Sequence, residues 1–152
     1  MAAMIRRAWR AGAAPFLSLF LPLFLSCALA QAGELVVIVS ARSPVESLRP
    51  DQASAIFLGQ SARFPDGSLA TAIDQPIGSS QRDGFYQRVA GKTPSLLKVY
   101  WSKMVFTGRG QPPRELAGND AVRQAVASDP GAVGYIDREA VDPSVRQVLL
   151  LH

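Results

Sequence analysis

The sequence has little of the chemistry that most catalytic and metal sites require. It contains one cysteine, Cys27, and one histidine, the terminal residue His152. A lone histidine at the chain end cannot be oriented in a Ser-His-Asp triad, and there is no cluster of cysteine and histidine for a transition metal. We therefore expect no enzyme activity, no metal site and no cofactor.

The first 30 residues have the three-part pattern of a secretory signal peptide. The basic start contains Arg6, Arg7 and Arg10. Residues 16–25 are almost wholly apolar, and residues 28–30 (ALA) match a cleavage signal. The apolar run is shorter than the about 20 residues that a membrane-spanning helix needs. We predict cleavage after residue 30 and a periplasmic location; an uncleaved anchor and a lipoprotein built on Cys27 are the alternatives.

Cleavage there leaves residues 31–152, which we expect to form one domain with one core. Three of the 16 Lys and Arg residues belong to the leader, so 13 basic and 12 acidic residues remain and the formal charge falls to +1. A chain so close to neutrality gives no reason to expect a nucleic-acid partner. Loss of Cys27 with the leader also excludes a disulfide and a thiolate nucleophile in the remaining chain.

Apolar patterning predicts strands that alternate with helices. Residues 34–40 are a continuous β-branched run, typical of a strand covered on both faces. Further strands are predicted over 69–73, 114–117, 132–136 and 145–151, and helices over 52–58, 80–89, 95–105 and 120–127. Asn119 is the expected N-cap of the last helix. This alternation indicates an α/β domain with a mixed, mainly parallel sheet flanked by helices.

The stretch 73–86 joins a predicted strand to a predicted helix through a short polar loop. Donors of four kinds (backbone N–H, hydroxyl, amide and guanidinium) are offered there by Gly78, Ser79, Ser80, Gln81 and Arg82. A helix N-terminus carries free N–H groups and a favourable dipole, so we predict that this turn binds an oxyanion. The alternative is an ordinary connection with a serine cap and a solvent-facing arginine. No Gly-Lys-Ser/Thr follows, which argues against a nucleotide P-loop.

Three other features each allow two interpretations. The segment 107–113 is a surface loop or a loop that places its arginine over a ligand. Tyr100 and Trp101 belong to the core or form a stacking platform. Asp74 and Asp83 serve as a cap and an arginine partner, or act together as paired carboxylates. In each case we favour the first interpretation.

Four segments resemble the phosphate ABC transporter substrate-binding proteins. They are AIFLGQ at 55–60, FPDGS at 64–68, GSSQRDGF at 78–85 and DPGAVGYI at 129–136. The family carries an IFLGK segment, a Trp-Asn/Asp-Gly turn, a GSGTR-D-x-F segment and a PGAIGY segment in the same order. The resemblance covers nearly all of residues 31–152 and implies one α/β lobe of a type 2 periplasmic binding protein.

By this resemblance the chain is an exported phosphate- or oxyanion-binding protein without enzyme activity, linked to phosphate ABC transport. The implied ligand-binding residues are Ser79, Ser80, Gln81 and Arg82. Ser40 and Arg42, at the end of the first predicted strand, are expected to supply part of the remaining ligand shell.

The sequence departs from the family pattern at the same loop. Gln81 replaces a hydroxyl donor, and Asp74 or Gln75 stands where members often have an arginine. The segment that builds the other lobe is also missing from this sequence. We therefore expect weak binding of inorganic phosphate or a similar oxyanion, with a membrane permease or another periplasmic protein as a further partner. The alternative is a non-catalytic periplasmic interaction module that has lost its ligand.

Overall fold

The computed structural model describes residues 33–152, which lie within one compact unit, Gln31–His152. The predicted signal peptide falls outside the described residues. The strands are β1 (Leu35–Ser40), β2 (Thr71–Asp74), β3 (Arg114–Glu115), β4 (Ala132–Asp137) and β5 (Val145–Leu151). The α-helices are α1 (Pro50–Phe57), α2 (Ser80–Ala90), α3 (Pro94–Phe106) and α4 (Gly118–Ser128). In this part of the chain, no helix has the length and apolar character needed to cross a membrane.

The five strands form one sheet in the order β3-β2-β4-β1-β5. β2 runs parallel to β3 and β4, whereas β1 is antiparallel to both β4 and β5. Four strands therefore point in one direction and β1 points in the other, which confirms the predicted mixed, mainly parallel sheet. The carboxyl ends of β2, β3 and β4 meet at one edge of the sheet, and the carboxyl end of β1 lies at the opposite edge.

Helices cover both faces of the sheet, because successive side chains of β1 point to opposite faces and those on both faces are apolar. Val37 and Val39 face the larger core, which α1, α2 and α3 complete. Val36 and Ile38 face a second core, which α4 completes. Every residue of β1 is buried, as a strand between two helical layers requires. The predicted α/β layered domain is therefore confirmed.

Close packing of α4 on β4 depends on Gly134. A Cβ atom at this position would lie 2.6 Å from Val122 Cγ1 and 3.1 Å from Val126 Cγ2. Both valines are fully buried. Glycine therefore lets the helix approach the strand more closely than any other residue would.

The predicted elements all exist, and their bounds differ from the observed ones by a few residues. The prediction for Asn119 is wrong. α4 begins at Gly118, its N-cap is Ala117, and that cap makes no side-chain hydrogen bond. The Asn119 side chain instead accepts from the Gln75 side chain and donates to Asp137.

Candidate functional site

The β2–α2 loop ends in a capped helix start that exposes two amides. Gly78 has a φ of +88°, a conformation that glycine adopts without strain. Ser79 is the N-cap of α2, and its hydroxyl accepts from the Arg82 amide at 3.3 Å. Among the described residues, none accepts a hydrogen bond from the amides of Ser80 or Gln81. These two N–H groups lie in the first turn, where the helix dipole favours a negative ligand.

A buried ion pair supports this loop from below. Asp74, the last residue of β2, is wholly buried, and its Oδ2 accepts from Arg82 Nε at 3.1 Å and from the Tyr86 hydroxyl at 2.9 Å. Its Oδ1 accepts from the Gln75 amide at 2.9 Å and from the Tyr135 hydroxyl. The carboxylate thus has four donors, one of which is the cationic Arg82, and this is what burial of a charge requires.

The surroundings of this pair shift the pKa values of its neighbours. Burial and the adjacent Asp74 carboxylate both raise the pKa of Tyr86 and of Tyr135 far above the ordinary value, so both phenols stay protonated and donate. Burial acts to lower the pKa of Arg82, but the charge and hydrogen bond of Asp74 outweigh it and the pKa is raised. All three side chains therefore present their hydrogens to one carboxylate.

Arg82 forms an ion pair with Asp74, which agrees with the interpretation of Asp74 as the partner of an arginine. The alternative in which Arg82 faces solvent disagrees with the structure. Only 7% of the Arg82 side chain is exposed. Its Nε is used by Asp74, while its two Nη groups have no acceptor among the described residues and are not sealed from solvent. Arg82 is one of the residues that line a groove beside the loop.

The side chain of Gln81 is held by the protein. Its Nε2 donates to Asp137 Oδ2 at 3.0 Å, and its Oε1 accepts from the Ser80 hydroxyl at 3.2 Å. Asp137 also accepts from Asn119, which in turn accepts from Gln75 Nε2 at 3.1 Å. Gln81 therefore offers a ligand its backbone N–H, whereas the sequence suggested its side-chain amide.

Carboxylates surround the loop as well as donors. Glu115 Oε2 accepts from the Ile77 amide at 3.3 Å, and Asp83 borders the same groove. Asp74 and Arg82 offset each other, and Asp83, Glu115 and Asp137 outnumber Lys98, the other cation that lines the groove, so the unbalanced charge near the loop is negative. This charge opposes an anion and predicts weak binding.

The structure separates Ser40 and Arg42 from the loop and so corrects their assignment to the same ligand shell. They follow β1, whose carboxyl end lies at the opposite edge of the sheet from that of β2. The Ser40 hydroxyl donates to the Ala127 carbonyl, and Arg42 Nη2 donates to the carbonyls of Ala127 and Ser128. Both side chains therefore cap the carboxyl end of α4.

Two features that allowed two interpretations remain, the aromatic pair Tyr100 and Trp101 and the segment 107–113. Trp101 is buried in the larger core, and the half-buried Tyr100 donates its hydroxyl hydrogen to the Leu58 carbonyl at 2.6 Å. The core interpretation therefore holds, although Trp101 also borders the groove. Residues 107–113 form a mostly exposed connection after α3.

Sequence reasoning missed the polar network of Gln75, Asn119 and Asp137. These residues come from three chain segments that meet at the carboxyl edge of β2 and β4. A signal was present, because polar residues follow both strands directly, and neighbouring parallel strands bring their carboxyl ends together. Within the described residues, no group of acidic, histidine or cysteine side chains could hold a metal ion.

Comparison with known sequences gives no relatives. No protein-family model matches the chain, and no curated protein sequence matches it.

Comparison with solved structures does give similar folds. A protein of Clostridium perfringens assigned as a phosphate ABC transporter substrate-binding protein, solved with bound phosphate, has a TM-score of 0.60 at 23% identity. An ABC-type phosphate transport receptor of Vibrio cholerae has a TM-score of 0.60 at 19% identity. PstS of Borrelia burgdorferi has a TM-score of 0.56 at 12% identity.

Each of these three matches covers 76% of this chain but only 44%, 45% and 46% of the solved chains. The chain therefore spans less than half the length of the proteins whose fold it shares. The likeness confirms the fold that the four sequence motifs predicted, over less than half of each solved chain.

Proposed function

We propose, from a fold shared with phosphate substrate-binding proteins, that this chain is an exported protein that binds phosphate or a similar oxyanion weakly. The observation that carries the proposal is the pair of unsatisfied amides of Ser80 and Gln81 at the start of α2. Ser80 is exposed, its hydroxyl donates to Gln81 Oε1, and Arg82 lines the adjacent groove.

The donors suit an oxyanion for a simple electrostatic reason. Backbone N–H groups at a helix start carry partial positive charge and cannot reorient away from a bound anion. The buried pair of Asp74 and Arg82 fixes the loop before a ligand arrives, so little conformational entropy is lost on binding. The proposed activity is binding without turnover, and delivery to a membrane permease is part of the same proposal.

The affinity should be low. The described lobe leaves the loop open to water, which competes for every hydrogen bond. Asp83 and Glu115 add like charge to that of the ligand. Each close carboxylate in a solvated setting costs on the order of 1 kcal/mol, so we expect a dissociation constant in the millimolar range, on the order of 10⁻³ M.

A substitution that deletes one amide tests the proposal. Ser80 occupies the first helical position, where proline is tolerated, and Ser79 before it has the extended backbone that precedes proline readily. Ser80→Pro should therefore keep the fold, remove one of the two amide donors and weaken phosphate binding about tenfold in a calorimetric titration, since a charge-assisted hydrogen bond contributes about 1.5 kcal/mol or more.

Ser80→Ala is the matched control, because it removes the hydroxyl and retains the amide. It should weaken binding by no more than about threefold. Equal affinity in wild type and Ser80→Pro would show that the α2 amides do not hold the anion. Absence of any saturable heat with phosphate, sulfate and arsenate would refute oxyanion binding.

One observation favours a second function, that of an interaction module. Large apolar side chains stand exposed beside the loop, with Ile77 74% and Phe106 92% accessible. Exposed apolar groups grouped around a groove are typical of contact surfaces. If no oxyanion binds, docking to a membrane or periplasmic protein becomes the better explanation of this face.

A further inference from the structure

A groove of about 880 Å³ lies between α3 and the β2–α2 loop. This volume is within the range of small-molecule sites, which are mostly apolar with a few polar groups. The apolar wall consists of Ile77, Pro94, Leu97, Trp101, Val105, Phe106 and Pro112. Such a lining matches a hydrocarbon better than it matches inorganic phosphate.

The charged groups that line the groove have a negative excess once the pairing of Arg82 with Asp74 is taken into account. Asp83 and Glu115 border it, and Lys98 of α3 is the opposing cation. Arg82 also borders it, but Asp74 offsets the Arg82 charge. Two carboxylates therefore border the groove together with one ammonium group. Asp83 lies in the first turn of α2, and Glu115 of β3 accepts from the Ile77 amide of the loop. An apolar molecule with a positive group would complement this arrangement.

Trp101 adds a second, independent observation on the groove wall. Its Nε1 is the one buried side-chain nitrogen or oxygen without a hydrogen-bond partner in the described part of the chain. Buried donors of this kind are rare and require an explanation. α3, which carries Trp101, also leaves Val105 and Phe106 of the same wall 43% and 92% accessible. α3 therefore carries exposed apolar side chains along the groove and one buried donor that lacks an acceptor.

We propose that the groove binds a small, elongated apolar molecule that carries a cationic group. The hydrocarbon part packs against Leu97, Trp101 and Val105. The cation lies toward Asp83 and Glu115. This site lies in the groove that Gly78 and Arg82 also line, but it differs from the oxyanion proposal in using the apolar wall of α3 and the opposite sign of charge.

Matched amphiphiles test the charge preference. The protein of residues 31–152, a compact unit with its own cores, contains Trp101 as its single tryptophan, since Trp9 precedes it. Its fluorescence can be titrated with decyltrimethylammonium and, in parallel, with decanoate, both below their micelle concentrations. We expect a saturable change with both hydrocarbons and about fivefold tighter binding of the cation, equal to about 1 kcal/mol.

Glu115→Gln should reduce that preference to about twofold or less by removing one carboxylate. The proposal fails if neither probe gives a saturable change. It also fails if decanoate binds as tightly as the cation to the wild-type protein.

A matched pair of valines on α3 locates the site. Val105 lines the groove, whereas Val99 is exposed on the same helix outside it. Val105→Lys and Val99→Lys add the same charge, so any long-range effect is shared. We expect Val105→Lys to weaken binding of decyltrimethylammonium about tenfold and Val99→Lys to change it less than about twofold. Equal effects would place the probe elsewhere and overturn the assignment.

Sedimentation of the same protein tests whether a second copy occupies the groove. We expect a monomer at the concentrations used for fluorescence. A dimer that Phe106→Ser dissociates would show that the groove is a self-association surface and would overturn the ligand proposal. Failure of the amphiphile titration leaves the phosphate titration of Ser80→Pro unaffected, so the two proposals are separately testable.

Discussion

Asp74 and Arg82 show at the scale of single residues how the loop is fixed. The carboxylate is wholly buried and the guanidinium nearly so, and the two charges are joined through one hydrogen bond of 3.1 Å. A buried pair of this kind contributes little net stability when intact. It becomes costly when one partner is removed, because the other charge is then buried without compensation.

We predict that Asp74→Asn lowers the free energy of unfolding by about 3 kcal/mol or more, because the buried Arg82 loses its counter-charge. Urea denaturation followed by circular dichroism measures the change. Asp74→Asn combined with Arg82→Met should recover at least about 1 kcal/mol of that loss, since no unpaired charge remains. A loss below about 1 kcal/mol in the single variant would argue that the pair is not buried in solution.

The two tyrosines predict a decline in stability at high pH. The folded pKa of Tyr86 and Tyr135 is raised above the ordinary value of 10.0, so the folded protein favours the neutral phenols. Their contribution is complete below the unfolded pKa and is lost as the pH rises above it, because the unfolded chain then ionises both groups.

Unfolding free energy should therefore begin to fall near the unfolded pKa of 10.0 and continue to fall as the pH rises further toward the raised folded pKa. Tyr86→Phe and Tyr135→Phe should each reduce the slope of that decline in urea titrations at several pH values. The interpretation is wrong if the slope is the same in both variants and in the wild type.

Packing between elements sets the position of α4 on the sheet. The missing side chain of Gly134 makes room for Val122 and Val126, and a Cβ there would stand 2.6 Å from Val122 Cγ1. The next residue, Tyr135, donates to Asp74. The register of β4 thus links the α4 interface to the ion pair under the loop.

Gly134→Ala should lower the free energy of unfolding by about 1–3 kcal/mol through overpacking. Thermal and urea unfolding measure it. Gly110→Ala is the control, because its Cβ would meet only the flexible end of Met104 at 3.4 Å, and it should change stability by less than about 0.5 kcal/mol. Equal effects would place the cost in backbone entropy instead of the α4 contact.

Elements were predictable from sequence where local chemistry decides them. β5 was predicted over the seven residues that it occupies, since Val145 and the apolar run 148–151 follow a turn signal at Asp142-Pro143. α2 and α3 start where a serine or threonine cap precedes them. The start of α4 was misplaced, because Asn119 is drawn into contacts with Gln75 and Asp137 that only the folded sheet creates.

The sequence was sufficient to predict the loop of the candidate site, but not which atoms of that loop pair with other parts of the protein. Gly78 followed by Ser79 predicts a turn and a capped helix start from neighbouring residues alone. The engagement of Arg82 by Asp74, eight residues earlier, and of Gln81 by Asp137, 56 residues later, depends on which strands become neighbours. Ser40 was misassigned for the same reason, because the antiparallel direction of β1 is not encoded in β1 itself.

For the whole molecule, four short motifs in one order gave the correct fold although no sequence relative was found. The motifs lie at the end of α1, in the turn after it, in the β2–α2 loop and in β4. They therefore cover two neighbouring strands of the sheet and the connections beside them. The chain nevertheless spans under half of each solved protein that shares this fold. Within the described residues the loop lies at the surface, where Ile77 and Gly78 are exposed.

An open loop of fixed shape has a consequence for the time that a ligand stays bound. The first turn of α2 is already capped and supported, so the proposed association of an anion needs no rearrangement of this loop. With the proposed millimolar affinity and an association rate constant of about 10⁸ M⁻¹ s⁻¹, the mean residence time would be about ten microseconds. Such rapid exchange would suit sampling or transient transfer of the proposed anion, and it would not suit retention.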